Sequence, residues 1–540
     1  MRALVLLLGL VALAWGSLPG RAAPPRSLPV IVFVSRQPVP GEPSAVPGLG
    51  PNQRAVITGG RLMVREIDGR LRALASDLYD VSDPAVSWDG KRVAFAGTPA
   101  ADSAWRIYQT PLAGGPATLV TRTATGLGWP RERGGSRFDD LDPCWIGPEE
   151  ICFASTRYPL RSEYANVPAT NLYVTRQERD GGWTWPARIT SERNGAEEPV
   201  YDFATDRVVY ARWWFNRYRP SRSGVTTDAA TALLPDSVNL WQALSIPAHG
   251  GTSRLAAAER GSRRGTMAYQ PALLENGDLV GVFALNLGLS PRPGPLGIQR
   301  LPRGRGRSRR LAGADIPDRA PSGYADALGV AAPGACSPAA LEDGRLLFSY
   351  APGGRGDYGL YVMPGAGAAE PKRVVDLPGT LELDAAPVIV RGTHRRLAMR
   401  PLPLALPARP ALAPDSLAAR GTFTYHSLGL FAARGEGPRP TPGARIRFYA
   451  APLLDPLGTR DTVLLLREVP VGQDGSVEEA GLPADVPLFE QVVDAQGRVL
   501  RSAHGAAHVA GFNAGRPGSE SRCVGCHFGH SMKEPAPRRH

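Results

Sequence analysis

Six times along this chain an acidic or small residue precedes a proline and a short apolar strand, which is followed by a turn and a second apolar strand. The first copy is Asp83-Pro84-Ala85-Val86-Ser87-Trp88-Asp89-Gly90-Lys91-Arg92-Val93-Ala94-Phe95, and the second pairs Asp142-Pro143-Cys144-Trp145 with Ile151-Cys152-Phe153-Ala154-Ser155. Later copies begin at Glu198-Pro199, Gln270-Pro271, Ser337-Pro338 and Ala386-Pro387. Each is completed by another hairpin, as at Trp105-Arg106-Ile107-Tyr108, Asn171-Leu172-Tyr173-Val174, Asn239-Leu240-Trp241 and Gly359-Leu360-Tyr361-Val362. Four short strands in each unit of roughly 50 to 70 residues read as propeller blades, since one such unit cannot cover its own apolar faces. The segment Val30 to Ser35 reads as the second strand of a blade whose first strand is supplied by Pro387 to Val390. That pairing closes the ring and removes its exposed edges.

Composition agrees with a turn-rich all-β chain. The 62 glycines and 53 prolines fall between short apolar runs, and 43% apolar content is enough for packed cores in two to four domains. The net charge of +12 is almost all arginine, because lysine occurs only at Lys91, Lys372 and Lys533. Its densest cluster, Arg303 to Arg310, lies between two strand-like runs and has no interleaved aromatics. It reads as a solvated hairpin loop, so no nucleic-acid partner is expected.

The repeat units resemble the TolB-like β-propeller family, whose pattern is Asp-x-x-Pro, then aromatic-Ser-Pro-Asp-Gly-Lys, then an apolar strand. Asp80 to Phe95 is the most complete copy, although Ser87-Trp88-Asp89-Gly90-Lys91 lacks the proline. The resemblance covers residues 28–400 and implies a six-bladed ring with an interaction surface on one face. It implies no chemistry.

Arg2, the apolar core Leu4 to Ala14 and the small-residue segment Gly20-Arg21-Ala22-Ala23 read as a cleaved signal peptide over residues 1–22. The expectation is a periplasmic or secreted bacterial protein with no transmembrane segment, soluble once processed. Residues 401–420, rich in Pro, Ala and Leu, read as a linker. Residues 421–540 then form a small β-rich domain, with strand-like runs at Arg445 to Tyr449, Thr462 to Leu466, Leu488 to Val493 and Arg498 to Leu500.

That domain is expected to end in a loop carrying Arg522-Cys523-Val524-Gly525-Cys526-His527. Only five cysteines and eight histidines occur in the chain, and three of these scarce residues stand here in the C-x-x-C-H pattern. The pattern is that of covalent haem c attachment: Cys523 and Cys526 as thioether donors and His527 as a ligand of the iron. A zinc knuckle, a disulfide or a redox C-x-x-C are the other readings. For the far side of the iron, His504 and His508 rank ahead of His530 and Met532, with an open coordination position as the alternative. Cys144 and Cys152 flank a turn at Gly147-Pro148 and read either as a disulfide or as two buried thiols; Cys336 has no evident partner.

The same region also carries Val469-Pro470-Val471, Asp474-Gly475-Ser476, Leu482-Pro483-Ala484-Asp485-Val486-Pro487, Gln491, Asp494-Ala495-Gln496-Gly497, Arg501-Ser502 and Pro517-Gly518 ahead of the cysteines. As a set these resemble the hydrazine synthase alpha-subunit-like family, in which a propeller precedes a β-rich domain of this kind. The resemblance implies an exported c-type haem protein. The family's name-giving subunit continues into a further haem-bearing domain, whereas this sequence holds a single C-x-x-C-H, so hydrazine synthesis itself is not expected. The expected fold class is all-β, a six-bladed TolB-like propeller followed by a small β-rich haem-binding domain. The expected function is electron transfer or haem-dependent redox chemistry, with a protein or redox partner docked on the propeller face. The alternative is a non-catalytic scaffold with a structural metal or thiol site. No G-x-S-x-G elbow supports a hydrolase.

Overall fold

The computed structural model describes residues 27–391 and 421–523, except the stretches 122–137, 227–237, 258–267, 317–331, 433–439, 451–463 and 501–517 and a number of shorter gaps. Among the described residues the protein is all-β, with one short 3-10 turn at Leu430–Ala432. Six four-stranded antiparallel sheets follow one another as the blades of a propeller. Their first strands are Leu381–Pro387, Asp80–Val86, Asp140–Gly147, Ala196–Asp202, Tyr269–Leu273 and Gly334–Ala340, here numbered blades one to six. Each first strand packs against the first strand of the next blade, and the sixth returns to the first, so the six surround a common axis.

The closing sheet contains both ends of the ring, in the order Leu381–Pro387, Ile31–Arg36, Arg61–Arg65, Leu71–Leu74. All six residues of Ile31–Arg36 are buried, as expected of a continuous apolar run covered on both faces. The N-terminal segment is therefore a second strand, but its partner differs from the expected Pro387 to Val390. It pairs Ser35 with Glu382 and Ile31 with Pro387. In the five blades that keep the proline, the first strand begins ahead of the residue before it, so a strand placed after the proline starts too late. The same error displaced the last repeat copy: the counterpart of Asp83 is Asp384, not Ala386, because both Asp83 and Asp384 stand at the ladder irregularity of a first strand.

The main cores lie between neighbouring blades. One joins Trp213 and Trp241 of blade four to Tyr269 of blade five and Phe348 of blade six; another joins Trp105, Trp145, Phe153 and Tyr210. Trp213 and Trp241 stack with centroids 5.7 Å apart, and Trp241 meets Tyr269 edge-on at 4.7 Å. The arginine-rich run does join two strands, since Gly297–Leu301 pairs with Arg309–Gly313.

Between the second and third strands of the closing sheet, residues 37–60 leave the blade and cross the ring. Val46 and Leu49 enter the core of blades four to six, while the Gly50 N–H donates to Tyr269 Oη at 3.0 Å. The Trp105 indole of blade two donates to the Ala55 carbonyl at 3.1 Å. A buried loop must place its polar backbone groups, and this one does so through successive turns, including Leu49 to Val46 at 3.1 Å and Gln53 to Gly50 at 3.1 Å. It plugs one end of the axial channel.

The C-terminal region has its own core of Phe423, Tyr425, Ile446, Phe448, Leu466, Val477, Leu482, Leu488 and Val492. Two three-stranded sheets enclose it, with Arg445–Ala450 central in one and Thr422–Ser427 central in the other. Tyr425 and Phe448 meet edge-on across the sheets at 4.9 Å. Val477–Pro483 is a strand the sequence reading did not single out, and Val499 makes only an isolated bridge to Val493.

Candidate functional site

Two places in the fold gather chemistry. The first is the strand Glu520–Cys523, which lies beside Thr422–Ser427 in parallel register, with Arg522 opposite His426 and Cys523 opposite Ser427. The expected loop thus begins as an edge strand: parallel pairing holds the first motif cysteine at the strand's end. Cys526 and His527 lie outside the described residues, as do His504, His508, His530 and Met532. Ser427 is fully buried, and its hydroxyl has no hydrogen-bond partner among the described residues. His426 is a histidine that strand pairing brings beside the motif. No spacing rule could have found it, because it is almost a hundred positions away in sequence.

The residues fit haem c: two cysteines spaced for thioethers and an adjacent histidine in sequence, with Ser427, the backbone register partner of Cys523, keeping a buried hydroxyl without a partner among the described residues. The remaining cysteines offer no rival site. Cys144 and Cys152 face each other in register, yet both are free thiols, as is Cys336. Burial pushes the Cys144 thiol up to about 12 and raises Cys152 and Cys336 as well. In this structure no disulfide joins them, and Cys152 is buried while Cys144 is half-buried.

The second place is the propeller axis. One residue from each first strand has positive φ: Asp83 (54°), Asp142 (51°), Glu198 (55°), Gln270 (45°), Ser337 (48°) and Asp384 (53°). Each coincides with a register shift, so a bulge in every blade turns one polar side chain toward the axis. The left-handed conformation is costly for non-glycine residues, and here it is held by contacts between blades. The Glu198 N–H donates to Asp142 Oδ2 at 3.0 Å, the Ser337 N–H to Gln270 Oε1 at 2.9 Å, and the Ser337 hydroxyl to Asp384 Oδ1 at 2.7 Å.

Below this ring, on the plug side, lie two buried ion pairs. Arg36 meets Asp80 at 3.1 Å, and Arg54 of the plug pairs with Glu197. Above it opens a cavity of about 270 Å³, with the six ring residues as its floor and Trp88, Trp145, Tyr201, Phe203 and Arg391 at its rim. Burial raises all four ring carboxyls. For Asp384 it is reinforced by Asp83 and carries the group to about 7. Asp83 is raised further by Asp142, Asp142 by Glu197, and Glu198 by Asp142 and Asp83. The acid-proline steps were visible in sequence as repeat markers, but their convergence on one floor was not.

Residues 456–528 match the family model for the hydrazine synthase alpha subunit middle domain. Of the solved structures, Kuenenia stuttgartiensis hydrazine synthase superposes with a TM-score of 0.66 at 16% identity, covering 93% of this chain and 69% of that one. The chain is therefore similar to the hydrazine synthase alpha subunit in the sequence of one C-terminal stretch and in its fold. TolB from Acinetobacter baumannii also aligns, with a TM-score of 0.33 at 14% identity over 66% of each chain. TolB from Agrobacterium tumefaciens aligns with a TM-score of 0.31 at 12% identity, over 53% of this chain and 90% of that one. No curated protein matches the sequence. Among the described residues, no helix is long and apolar enough to cross a membrane.

Proposed function

We propose that this chain is an exported c-type mono-haem protein that transfers electrons or performs haem redox chemistry in the periplasm or outside the cell, with its propeller as the docking platform for a protein or redox partner. The observation that carries this reading is the span of the family match, residues 456–528, which runs through Cys523, Cys526 and His527. Bound there, the haem would supply a one-electron couple at its iron. The protein's own part is positional. The parallel pairing of Glu520–Cys523 with Thr422–Ser427 holds the backbone of Cys523 at the edge of a sheet with its own core. Gly525 between the thiols leaves the backbone free to turn tightly, and His527 would hold the iron through its imidazole. Hydrazine synthesis is not part of the proposal.

Expression with a periplasmic haem-attachment system, followed by denaturing electrophoresis and haem staining, tests the reading. The wild-type chain should stain. Cys523→Ala/Cys526→Ala should not, while its propeller melts unchanged. His527→Ala should alter the absorption spectrum of the attached haem. A correctly exported wild-type chain that takes no stain and holds stoichiometric zinc would replace haem with a structural metal.

A further inference from the structure

The axial pocket has a ligand chemistry of its own, and nothing in it depends on the haem reading. It is closed below by the plug and open above, and its floor carries Asp83, Asp142, Glu198 and Asp384 from blades two, three, four and one. Blades five and six contribute the neutral Gln270 and Ser337. The arginines beneath, Arg36 and Arg54, are engaged by Asp80 and Glu197, and none of the four floor carboxyls has an ion-pair partner among the described residues. Asp384 accepts the Ser337 hydroxyl on Oδ1 and its carboxyl feels the Asp83 N–H, but among the described residues its buried Oδ2 has no partner at full hydrogen-bond geometry. Asp142 takes the Glu198 N–H and Asp83 the Asp142 N–H, at 3.0 and 3.4 Å, so what the floor lacks is positive charge.

The rim complements this. Trp88, Tyr201 and Phe203 form a mutual cluster with centroids 4.8 to 5.5 Å apart. The Trp88 and Trp145 indole N–H groups are taken by the carbonyls of Trp145 and Ala85, at 3.2 and 3.1 Å. These side chains therefore offer ring surfaces rather than donors, and ring faces attract cations. The chain already places two cations there, one of them Arg92, whose guanidinium carbon stands 4.8 Å from the Trp145 centroid. The segment leaving blade one passes over blade two, the Arg391 N–H donates to the Trp88 carbonyl at 2.8 Å, and the guanidinium carbon stands 4.3 Å from the Phe203 centroid. Arg391 occupies the rim only. Among the described residues no group of three or more His, Cys, Asp or Glu is arranged to hold a metal ion, which favours an extended organic cation over a bare one.

We propose that the axial pocket binds a small organic cation with N–H donors, a primary alkylammonium or guanidinium group, seated on Asp384 and Glu198 with its alkyl part between Trp88, Tyr201 and Phe203. Arg391 is then a tethered occupant of the rim that an incoming ligand must displace. The cation could arrive as a free amine or as a lysine or arginine side chain of a partner; the pocket's chemistry is the same for both. Because burial holds the floor carboxyls partly protonated near neutral pH, binding should release protons, and affinity should rise with pH.

Calorimetry on the full chain, with or without haem, tests this with butylammonium, butylguanidinium, tetramethylammonium and an acetylated Gly-Arg-Gly amide, in two buffers of different ionisation enthalpy. The N–H cations should bind with proton release, and tetramethylammonium about tenfold more weakly or worse, since it cannot donate to Asp384. Tighter binding of the peptide than of butylguanidinium identifies a partner side chain as the source, and the reverse a free amine. Arg391→Ala, a change at an exposed position, should strengthen binding, and Asp384→Asn should weaken it about tenfold. Absence of binding to both wild type and Arg391→Ala, or equal affinity for tetramethylammonium, would overturn the proposal. So would a folded Asp384→Asn protein with unchanged affinity; if that variant does not fold, the Arg391→Ala and buffer measurements decide.

Discussion

Ser35 donates its hydroxyl to the Glu382 carboxylate at 3.2 Å across 347 positions of sequence. The contact lies on the ladder where the two ends of the propeller form one sheet, and Thr380 shares the same carboxylate oxygen at 2.8 Å. Removing residues 1–40 takes away the second strand of this sheet and exposes the first blade's core. In a ring stabilised by contacts between neighbouring units, that opening spreads. The truncated chain should lose the melting transition of the whole propeller, and a transition equal to wild type would refute closure.

The plug should matter as much as the closing strand. Arg54→Ala leaves Glu197 buried without its countercharge and frees the loop from blade four. Loss of one partner from a buried pair costs about 3 to 5 kcal/mol, which denaturant titration would register as a lower midpoint. Adding Glu197→Gln should restore part of the loss, because the stranded charge is gone. A double variant no more stable than Arg54→Ala would mean that the plug is held by packing alone.

The ring makes the propeller more stable in acid than its carboxyl content suggests. Asp384 titrates from its usual 3.8 up at about 7 in the folded chain, so the native state binds more protons than the unfolded chain between these values. Its contribution to stability therefore falls as pH rises through that window, by an upper bound of roughly 4 kcal/mol at about 1.4 kcal/mol per pH unit. Asp384→Asn should flatten this dependence, with its melting temperature gaining on wild type between pH 4 and pH 7. Parallel pH profiles would remove Asp384 from the account.

Cys144, Cys152 and Cys336 are free, and burial suppresses their thiolates. Thiol titration of the haem-loaded chain should find three reactive groups in denaturant and almost none in the native state. A single reactive thiol in denaturant would mean that Cys144 and Cys152 bond to each other on export.

Much of this architecture is written in local pattern. Strand alternation, the recurring acid-proline step and the buried run at Ile31–Arg36 specify six blades and the joining of the two ends. The scarcity of cysteine marks Cys523 and Cys526 for chemistry. These signals survive in sequence because each depends on a strand's own period or on residues a few positions apart.

What only the tertiary structure decided depends on residues far apart in the chain. Asp384 was hidden because Ala385 follows it where the other blades have proline, so aligning on proline selected Ala386. Nothing in the sequence reading marked residues 37–60, yet Arg54 finds Glu197 and Gly50 finds Tyr269 across the ring. The pairing of Cys523 with Ser427, and hence the place of His426 beside the motif, follows from a parallel ladder between segments almost a hundred residues apart. A side chain's period tells which face it takes. Which distant partner meets that face is set by packing all six blades around one axis, where burial and shared hydrogen bonds turn six repeat markers into a single acidic floor.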